Sequence, residues 1–195
     1  MNRRNHLKED PILLELFDKM KRLYEELGAA FMNEFHRLPG FSDLLIDRWE
    51  KAQKLGWGTG TSVYDNSLII GDVHVGRECW VGPNTVLDGS GGLVIGDYCT
   101  ISTGVQIYTH DNVKQTLTSK RAAIERAPTK IGSNVYIGPN VVISKGCEIG
   151  NSVVIGANSF VKDNIPDKAI FAGNPAKKIG AVEISDNNEV IFNYI

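Results

Sequence analysis

The chain has 195 residues, of which 42% are hydrophobic, and its formal net charge is -2. This size and composition predict one globular domain with a small appendage. The chain has no general basic field, so nucleic acid is not an expected partner, and no apolar run approaches the roughly 20 residues of a membrane span. The charged N-terminus leads into an amphipathic segment instead of a signal-peptide core, so the predicted location is the cytoplasm.

The first segment, 1–60, is predicted to be helical. Asp10 is a suitable capping residue and Pro11 a suitable first helical residue, and apolar residues then recur at helical spacing. The Leu-Pro-Gly sequence that follows ends this helix, and a second helix is predicted over 42–55. These helices are expected to cover the N-terminal end of the next region, whose edge would otherwise be unpaired.

A repeat of six residues defines the rest of the chain. Between Ile131 and Val161 every block of six starts with Ile, and Gly follows it in four of the five blocks. A fixed period is typical of a solenoid, and a period of six fits short strands joined at corners but not an α-helix. The first position is predicted to point inward, with Gly easing the bend. The sequence thus predicts an all-β solenoid over 61–170 and a C-terminal extension over 171–195.

The hexad frame is interrupted twice. Between Leu87 and Ile95 the spacing slips by two residues, through the Gly-rich segment 88–92. Between Ile107 and Ile131 no aliphatic hexad occurs, but 131 minus 107 is 24, a multiple of six, so the register is unchanged. Residues 112–129 are therefore predicted to form a loop outside the coil, and loops of this length are usually functional or disordered.

His110 lies where this loop leaves the coil. With three hexads per turn, the slipped segment would lie one coil away from the His110 turn, at a distance of about 4.8 Å. Departures from a local rule tend to mark function, and a neutral imidazole can take a proton from a hydroxyl or an amine, so His110 is the candidate general base. Asp88, Ser90 or a backbone carbonyl are the candidates for fixing its tautomer. Asp111 is a weaker candidate, because adjacent strand residues point to opposite faces.

The three cysteines share one position of the repeat. Cys79, Cys99 and Cys147 all fall at the fifth hexad position. An odd count at structural positions, without a C-x-x-C pair, predicts buried thiols instead of disulfides or zinc ligands.

The Ile-Gly hexads, the Tyr-Thr-His-Asp turn at 108–111 and the closing segments 161–166 and 172–179 carry a resemblance to a known family. With them the chain resembles the hexapeptide-repeat acyltransferases, most of all the sugar acetyltransferases of the maltose and galactoside type and of polysaccharide biosynthesis. The resemblance covers roughly 67–180 and implies a left-handed parallel β-helix with an N-terminal α-helical cap. The left hand comes from the resemblance, because crossover rules favour right-handed connections. The family also implies a homotrimer with sites between neighbouring β-helices, and acetyl-CoA as co-substrate without a metal.

The resemblance also implies roles for individual residues, assigned at the positions of this sequence that match the family's motifs. The resemblance implies that His110 deprotonates the acceptor hydroxyl as it attacks the acetyl-CoA thioester. The positions implied to contact the co-substrate are Pro139, Ala157, Lys162, Lys177 and Lys178, the last two near the nucleotide phosphates. The residues implied to bind the acceptor are Asp88, Ser90 and Tyr108. Gly82 stands where the galactoside type has an acceptor-binding Asn, so the acceptor of that branch is not transferred.

The predicted function is acetyl transfer from acetyl-CoA to a hydroxyl of a sugar or polysaccharide precursor. The alternative is N-acetylation of a nucleotide-linked amino sugar. A carboxylate near an amine would hold the amine protonated, so Asp88 favours the hydroxyl.

Direct attack by the acceptor is favoured over a covalent intermediate, because the cysteines point inward. A zinc carbonic anhydrase of the same shape would need three converging histidines, whereas only His74 and His110 lie in the repeat. A non-catalytic assembly module would predict neither the special histidine nor the long loop.

Overall fold

The computed structural model describes residues 3–195, and the chain divides into two compact units. The first unit ends at Asp47 and the second comprises Arg48–Ile195. Met1 and Asn2, part of the charged N-terminus on which the predicted location rests, lie outside the described residues. The predicted helical segment 1–60 is therefore divided between the two units.

The first unit consists of helices. A 3₁₀ helix, Arg3–Leu7, precedes α1, Pro11–Phe35, and α2, Phe41–Leu45. The carboxylate of Asp10 accepts hydrogen bonds from two backbone N–H groups in the first turn of α1, at 3.1 and 3.0 Å, so the predicted helix start is confirmed. The helix ends at His36, whose φ of 52° is left-handed, just before the Leu-Pro-Gly segment as predicted.

The single helix predicted over 42–55 is wrong. Two short helices, α2 and α3 (Arg48–Lys54), are separated at Ile46, whose backbone is extended with φ -104° and ψ 115°. α3 belongs to the second unit and packs against its first strand, β1 (Ser62–Val63). Lys51 of α3 donates to two backbone carbonyls of the first coil, which fixes this helix there. The capping role predicted for the whole helical segment stays a prediction.

From β1 onward the second unit is a parallel β-solenoid with an antiparallel end. The strands after β1 are β2 (Leu68–Val75), β3 (Trp80–Val81), β4 (Val86–Ile95), β5 (Thr100–Ile101), β6 (Gln106–Ile107), β7 (His110–Asp111), β8 (Glu125–Arg126), β9 (Thr129–Ile131), β10 (Tyr136–Ile137), β11 (Val142–Ile143), β12 (Glu148–Ile149), β13 (Val154–Ile155), β14 (Phe160–Val161), β15 (Ala169–Ala172), β16 (Lys177–Ile184) and β17 (Val190–Tyr194). Strands of successive coils pair in parallel, and in the regular frame their partners lie 18 residues apart, as Val142 and Phe160 do. The predicted all-β solenoid with an N-terminal helical region is confirmed.

The first position of each hexad forms the core. From Val81 to Val161 these side chains are at most 3% exposed, and each buried aliphatic side chain contributes about 1.5–3 kcal/mol relative to an exposed one. The fifth position also points inward. Cys79, Cys99 and Cys147 lie there as buried free thiols, so the cysteine prediction is confirmed.

The glycine at the second hexad position has a different role from the predicted one. Gly132 is not among the residues with positive φ; the left-handed residue at that corner is Asn134, with φ of 60°. A Cβ on Gly132 would lie 2.8 Å from the backbone carbon of Gly150 in the next coil. Glycine is therefore required by the close approach of stacked coils, and the bend itself is made two residues later.

The two interruptions of the frame lie in neighbouring coils. Leu87 pairs with Ile107, which confirms the count of three hexads per turn. After Tyr108 the chain leaves the coil through β7 and α4 (Val113–Leu117) and returns through β8 to β9. β7 and β8 pair antiparallel and form a short ribbon. The segment predicted as a loop thus has secondary structure of its own.

The C-terminal segment extends one sheet of the solenoid. β15 pairs in parallel with β13, and β16 and β17 then add antiparallel strands. The extension predicted over 171–195 therefore begins inside β15.

Among residues 3–195, no helix combines the length and the apolar character that a membrane crossing requires.

Candidate active site

His110 is the first residue of β7, at the point where the chain leaves the solenoid. The pairing of Leu87 with Ile107 puts the residue after Leu87, Asp88, in the coil next to the His110 turn. The predicted neighbourhood of the slip and the excursion is therefore present.

The imidazole of His110 contacts the carboxylate of Asp88, with Nδ1 2.6 Å from Oδ2. Asp88 is 0% exposed, whereas 34% of the His110 side chain is exposed. The carboxylate also accepts hydrogen bonds from the backbone N–H groups of Ser90, at 3.0 Å, and Thr109, at 2.9 Å. Of the roles considered for Asp88, this arrangement favours orienting His110 over holding an acceptor.

The charge of Asp88 determines the tautomer of His110. Burial would raise the pKa of Asp88, but hydrogen bonds from Ser90, Thr109 and His110 outweigh burial and hold this pKa well below its ordinary value. An ionised carboxylate can only accept hydrogen bonds, so Nδ1 of His110 carries the proton. In the neutral imidazole Nε2 is then unprotonated. A histidine oriented in this way by a buried carboxylate is suited to general-base chemistry.

Thr109 joins the three chain segments at the site, and sequence reasoning missed it. Its hydroxyl donates to the backbone oxygen of Asp88 at 2.8 Å and accepts from the N–H of Gly91 at 2.7 Å. Its own carbonyl accepts from the N–H of Ala127, where the excursion returns, at 2.9 Å. A Cβ on Gly91 would lie 2.5 Å from that carbonyl oxygen, so this glycine of the slip is needed for the close approach. The sequence feature that could have identified Thr109 is its position directly before His110.

A cleft of about 380 Å³ opens beside His110. Its lining residues are Tyr108, His110, Asp111, Asn112, Val142, Ser144, Lys145 and Phe160. The hydroxyl of Tyr108 donates to the side-chain oxygen of Gln106 at 2.8 Å. A concave, partly apolar site with a few polar groups and an oriented histidine is suited to a small ligand.

Four charged side chains connect the excursion to the following coil, and sequence reasoning missed their cluster. Lys145 contacts the carboxylates of Asp111 and of Glu125, the latter at 3.4 Å, and Lys114 contacts the other oxygen of Glu125. The hydrogen bond from Lys145 holds the pKa of Asp111 below its ordinary value. Asp111 is thus paired with Lys145, and Asp88 is the carboxylate that contacts His110.

Three of the residues implied to contact the co-substrate lie at the corners of late coils. Pro139 and Ala157 occupy the same corner of successive coils, where the N–H of Asn158 donates to the carbonyl of Pro139 at 2.9 Å. Lys162 is exposed and pairs with Asp163 at 3.0 Å. Their role toward a ligand stays a prediction.

Lys177 and Lys178 are both exposed at the start of β16. The residue before them, Ala176, donates its N–H to the carbonyl of Phe160 at 2.8 Å, and Phe160 lines the cleft. Adjacent strand residues point to opposite faces, so only one of the two lysines can face a given ligand.

The three residues implied to bind an acceptor differ in their access to the cleft. Tyr108 lines it, whereas Asp88 is buried and Ser90, half-buried, is not among the lining residues. In the described part of the chain, no group of three or more His, Cys, Asp or Glu side chains is arranged to hold a metal ion.

Comparisons with known proteins agree with the repeat. The family model described as bacterial transferase hexapeptide (six repeats) matches residues 128–163, and the one described as hexapeptide repeat of succinyl-transferase matches residues 72–109. A probable acetyltransferase of Mycobacterium tuberculosis is 32% identical over 164 residues, which are 81% of this chain and 52% of that protein. The galactoside O-acetyltransferase of Escherichia coli is 30% identical over 123 residues, 63% of this chain and 61% of that protein. The chain thus spans less than two thirds of the length of these relatives.

A solved structure gives the same likeness in three dimensions. A galactoside acetyltransferase in complex with coenzyme A superposes with a TM-score of 0.62 at 26% identity, over 87% of this chain and 80% of that one. The hexad solenoid and the two repeat matches show a hexapeptide-repeat solenoid, and in sequence and in fold the chain is similar to acetyltransferases, among them the galactoside O-acetyltransferase.

Proposed function

We propose that this protein transfers an acetyl group from acetyl-CoA to a hydroxyl of a sugar or polysaccharide precursor, with His110 as general base. The observation that carries the proposal is the contact of His110 Nδ1 with the buried carboxylate of Asp88, which leaves Nε2 free beside an open cleft. The relatives named as acetyltransferases and the coenzyme A bound by a structural neighbour support the choice of donor.

The proposed reaction uses this geometry. Nε2 of His110 takes the proton of the acceptor hydroxyl as its oxygen attacks the thioester carbonyl carbon, forming the new C–O bond. The C–S bond then breaks, and the imidazolium returns its proton to the departing sulfur of CoA. Asp88 stays ionised throughout and stabilises the imidazolium without taking its proton.

Direct transfer is favoured over an acyl-enzyme. The thiols of Cys79, Cys99 and Cys147 are buried. Burial raises the pKa of Cys147, whereas the hydrogen bond with Cys99 lowers the pKa of Cys79 to about 7, so burial is what keeps these thiols from acting as nucleophiles. A nucleophile must reach the thioester carbonyl, and these sulfurs lie inside the coil. The acceptor oxygen therefore attacks the donor itself.

The donor is proposed to bind along the corner formed by Pro139 and Ala157 and to reach the basic residues near the C-terminal strands. Lys177, or Lys178 as the alternative basic position, would contact the nucleotide phosphates, and Lys162 would contact the donor at the turn out of the last coil. We further propose a cytoplasmic homotrimer in which a neighbouring copy completes each cleft; sedimentation of the protein as a trimer would support this assembly, and a monomer would contradict it.

An amine of a nucleotide-linked amino sugar is the second candidate acceptor. The argument against it was that a carboxylate near an amine holds the amine protonated. Asp88 has no exposed surface, and its carboxylate hydrogen-bonds to Ser90, Thr109 and His110, so it does not reach the cleft to pair with an acceptor amine.

The test is transfer from labelled acetyl-CoA to paired acceptors, in which each sugar is offered beside its amino analogue, free and nucleotide-linked. Label on the hydroxyl sugars, lost in the His110→Ala variant, is the expected result. Label on the amino sugars alone would select the second candidate. The absence of both acetyl transfer and CoA binding would overturn the proposed function.

A further inference from the structure

The ribbon β7–β8 carries His110 but has little support of its own. Each strand has two residues, and isolated two-stranded ribbons are at best marginally stable in water. α4 between the strands contains no buried residue. The ribbon therefore depends on contacts with the solenoid to keep one conformation.

Its two faces make different contacts. In the antiparallel register His110 is opposite Arg126, and Asp111 is opposite Glu125. Residues directly opposite each other point to the same side, and consecutive residues to opposite sides. Asp111 and Glu125 thus share one face, and both contact Lys145 of the next coil. His110 lies on the other face and contacts Asp88 of the preceding coil.

Lys145 is placed to hold both strands at once. Its ammonium contacts one carboxylate from each strand, and its side chain is only 23% exposed, less than that of Lys114 in the same cluster at 67%. Partly buried, networked ion pairs are screened less than exposed pairs, which contribute little. Without Lys145, two carboxylates would face each other across the ribbon with only the exposed Lys114 to balance them, and like charges at directly opposed positions are destabilising.

We propose that Lys145 is a positioning residue that holds the β7–β8 ribbon on the solenoid and so sets the wall of the cleft beside His110, where the acceptor of the proposed reaction would bind. Asp111 and Lys145 themselves line that cleft, so movement of the ribbon changes its shape. The inference rests on the proposed acetyl transfer for its kinetic part, whereas the conformational part does not depend on it.

The first test compares Lys145→Met with wild type in acetyl transfer and in backbone hydrogen exchange of residues 109–128. We expect kcat/KM for the acceptor to fall roughly 10- to 100-fold, because a displaced cleft wall misplaces the acceptor relative to His110. The fall should come from a higher KM for the acceptor, whereas the KM for acetyl-CoA should be nearly unchanged. Hydrogen exchange of the ribbon should become faster. The Lys145→Arg variant, which keeps the charge, should recover most of both properties.

The matched control is Lys130→Met. Lys130 also pairs with a glutamate across coils, Glu148 at 3.3 Å, but both side chains are more than 60% exposed. This variant should leave the kinetics and the exchange unchanged. A double variant, Lys145→Met with Asp111→Asn, should lose no more than Lys145→Met alone, because Asp111 acts here through Lys145.

Unchanged ribbon exchange and unchanged acceptor KM in Lys145→Met would overturn the inference, as would equal losses in the Lys130 control or additive losses in the double variant. If the wild type transfers acetyl to no acceptor, the proposed function fails, but the exchange comparison of the same variants still decides the role of Lys145.

Discussion

Two histidine–aspartate pairs lie in the solenoid, and they differ in burial and in the ring nitrogen that contacts the carboxylate, Nε2 in His74 and Nδ1 in His110. His74 and Asp72 contact each other at 2.9 Å on the outside of β2, where their side chains are 68% and 74% exposed. His110 and Asp88 contact at 2.6 Å, but Asp88 is fully buried. An exposed pair gains little from its contact, whereas the buried carboxylate is fixed in position and in charge. An aspartate nearby is therefore not enough to orient an imidazole; at His110 the carboxylate is also fixed by burial in the preceding coil.

Two corresponding corners of the solenoid also differ, one being regular and the other interrupted. Ile107 and Ile143 are direct register partners in β6 and β11, so the chain arrives at both corners in the same way. After Ile143 it turns through 144–146 into the next face, whereas after Ile107 it makes the excursion and returns at Thr129. The regular corner continues the coil, and the interrupted corner carries the histidine.

The largest difference between the two pairs is expected when each histidine is removed in turn. His110→Ala should lower kcat by about 10²- to 10⁴-fold, the usual contribution of a general base, while His74→Ala should leave kcat unchanged. Acetyl-transfer kinetics and thermal melts of both variants provide the measurement. Equal effects of the two variants, or a large fall in Tm for His110→Ala alone, would make His110 a structural residue.

Neutralising the two aspartates sharpens the contrast. Asp88→Asn removes the charge that fixes the tautomer of His110, and kcat should fall by up to about 10⁴-fold with little change in the KM for acetyl-CoA, because the imidazole then adopts the wrong tautomer. Asp72→Asn is the matched exposed change and should be silent. An active Asp88→Asn variant with wild-type kcat would remove Asp88 from the mechanism.

The regular corners can be tested through their glycines. Gly132→Ala puts a Cβ 2.8 Å from the backbone of the next coil, so the free energy of unfolding should fall by about 1–3 kcal/mol, as is typical of overpacking. Gly40→Ala, where a Cβ meets nothing within 4 Å, should lower the free energy of unfolding less. Denaturant unfolding of the two variants is the measurement, and equal losses would contradict the account of close coil stacking.

The smallest effect is expected at the exposed lysines of β16. Lys177→Ala should raise the KM for acetyl-CoA roughly 2- to 5-fold, as for loss of an exposed charge contact, and should affect a dephospho-CoA donor less. Lys130→Ala serves as an exposed control. An equal change for both donors would remove Lys177 from the phosphate site.

The fold was predictable because each coil obeys a local rule. The Ile-Gly hexads determine the repeat, and the count of three hexads per turn from Ile107 back to Leu87 was enough to place Asp88 next to the His110 turn. The break at Ile46 was not predictable from periodicity, because the apolar spacing of 42–55 continues across it.

The candidate site was predictable only in part. The position of His110 follows from the frame, but the choice between Asp88 and Ser90 as its partner depends on side-chain contacts that no spacing reports. The contacts of Lys145 reach Glu125 and Asp111, which lie 20 and 34 positions away in an irregular segment, so no repeat marks them. Thr109 acts through hydrogen bonds across coils, which exist only once the coils are stacked.

The most direct test of the central claim is the tautomer of His110, measured by nitrogen NMR of the protein labelled in its histidine rings, with the His110→Ala variant identifying the signals. The account predicts a protonated Nδ1 and an unprotonated Nε2 in the neutral ring, and loss of this preference in Asp88→Asn. A proton on Nε2 in the wild-type protein would contradict it, because His110 would then lack the free nitrogen that a general base requires.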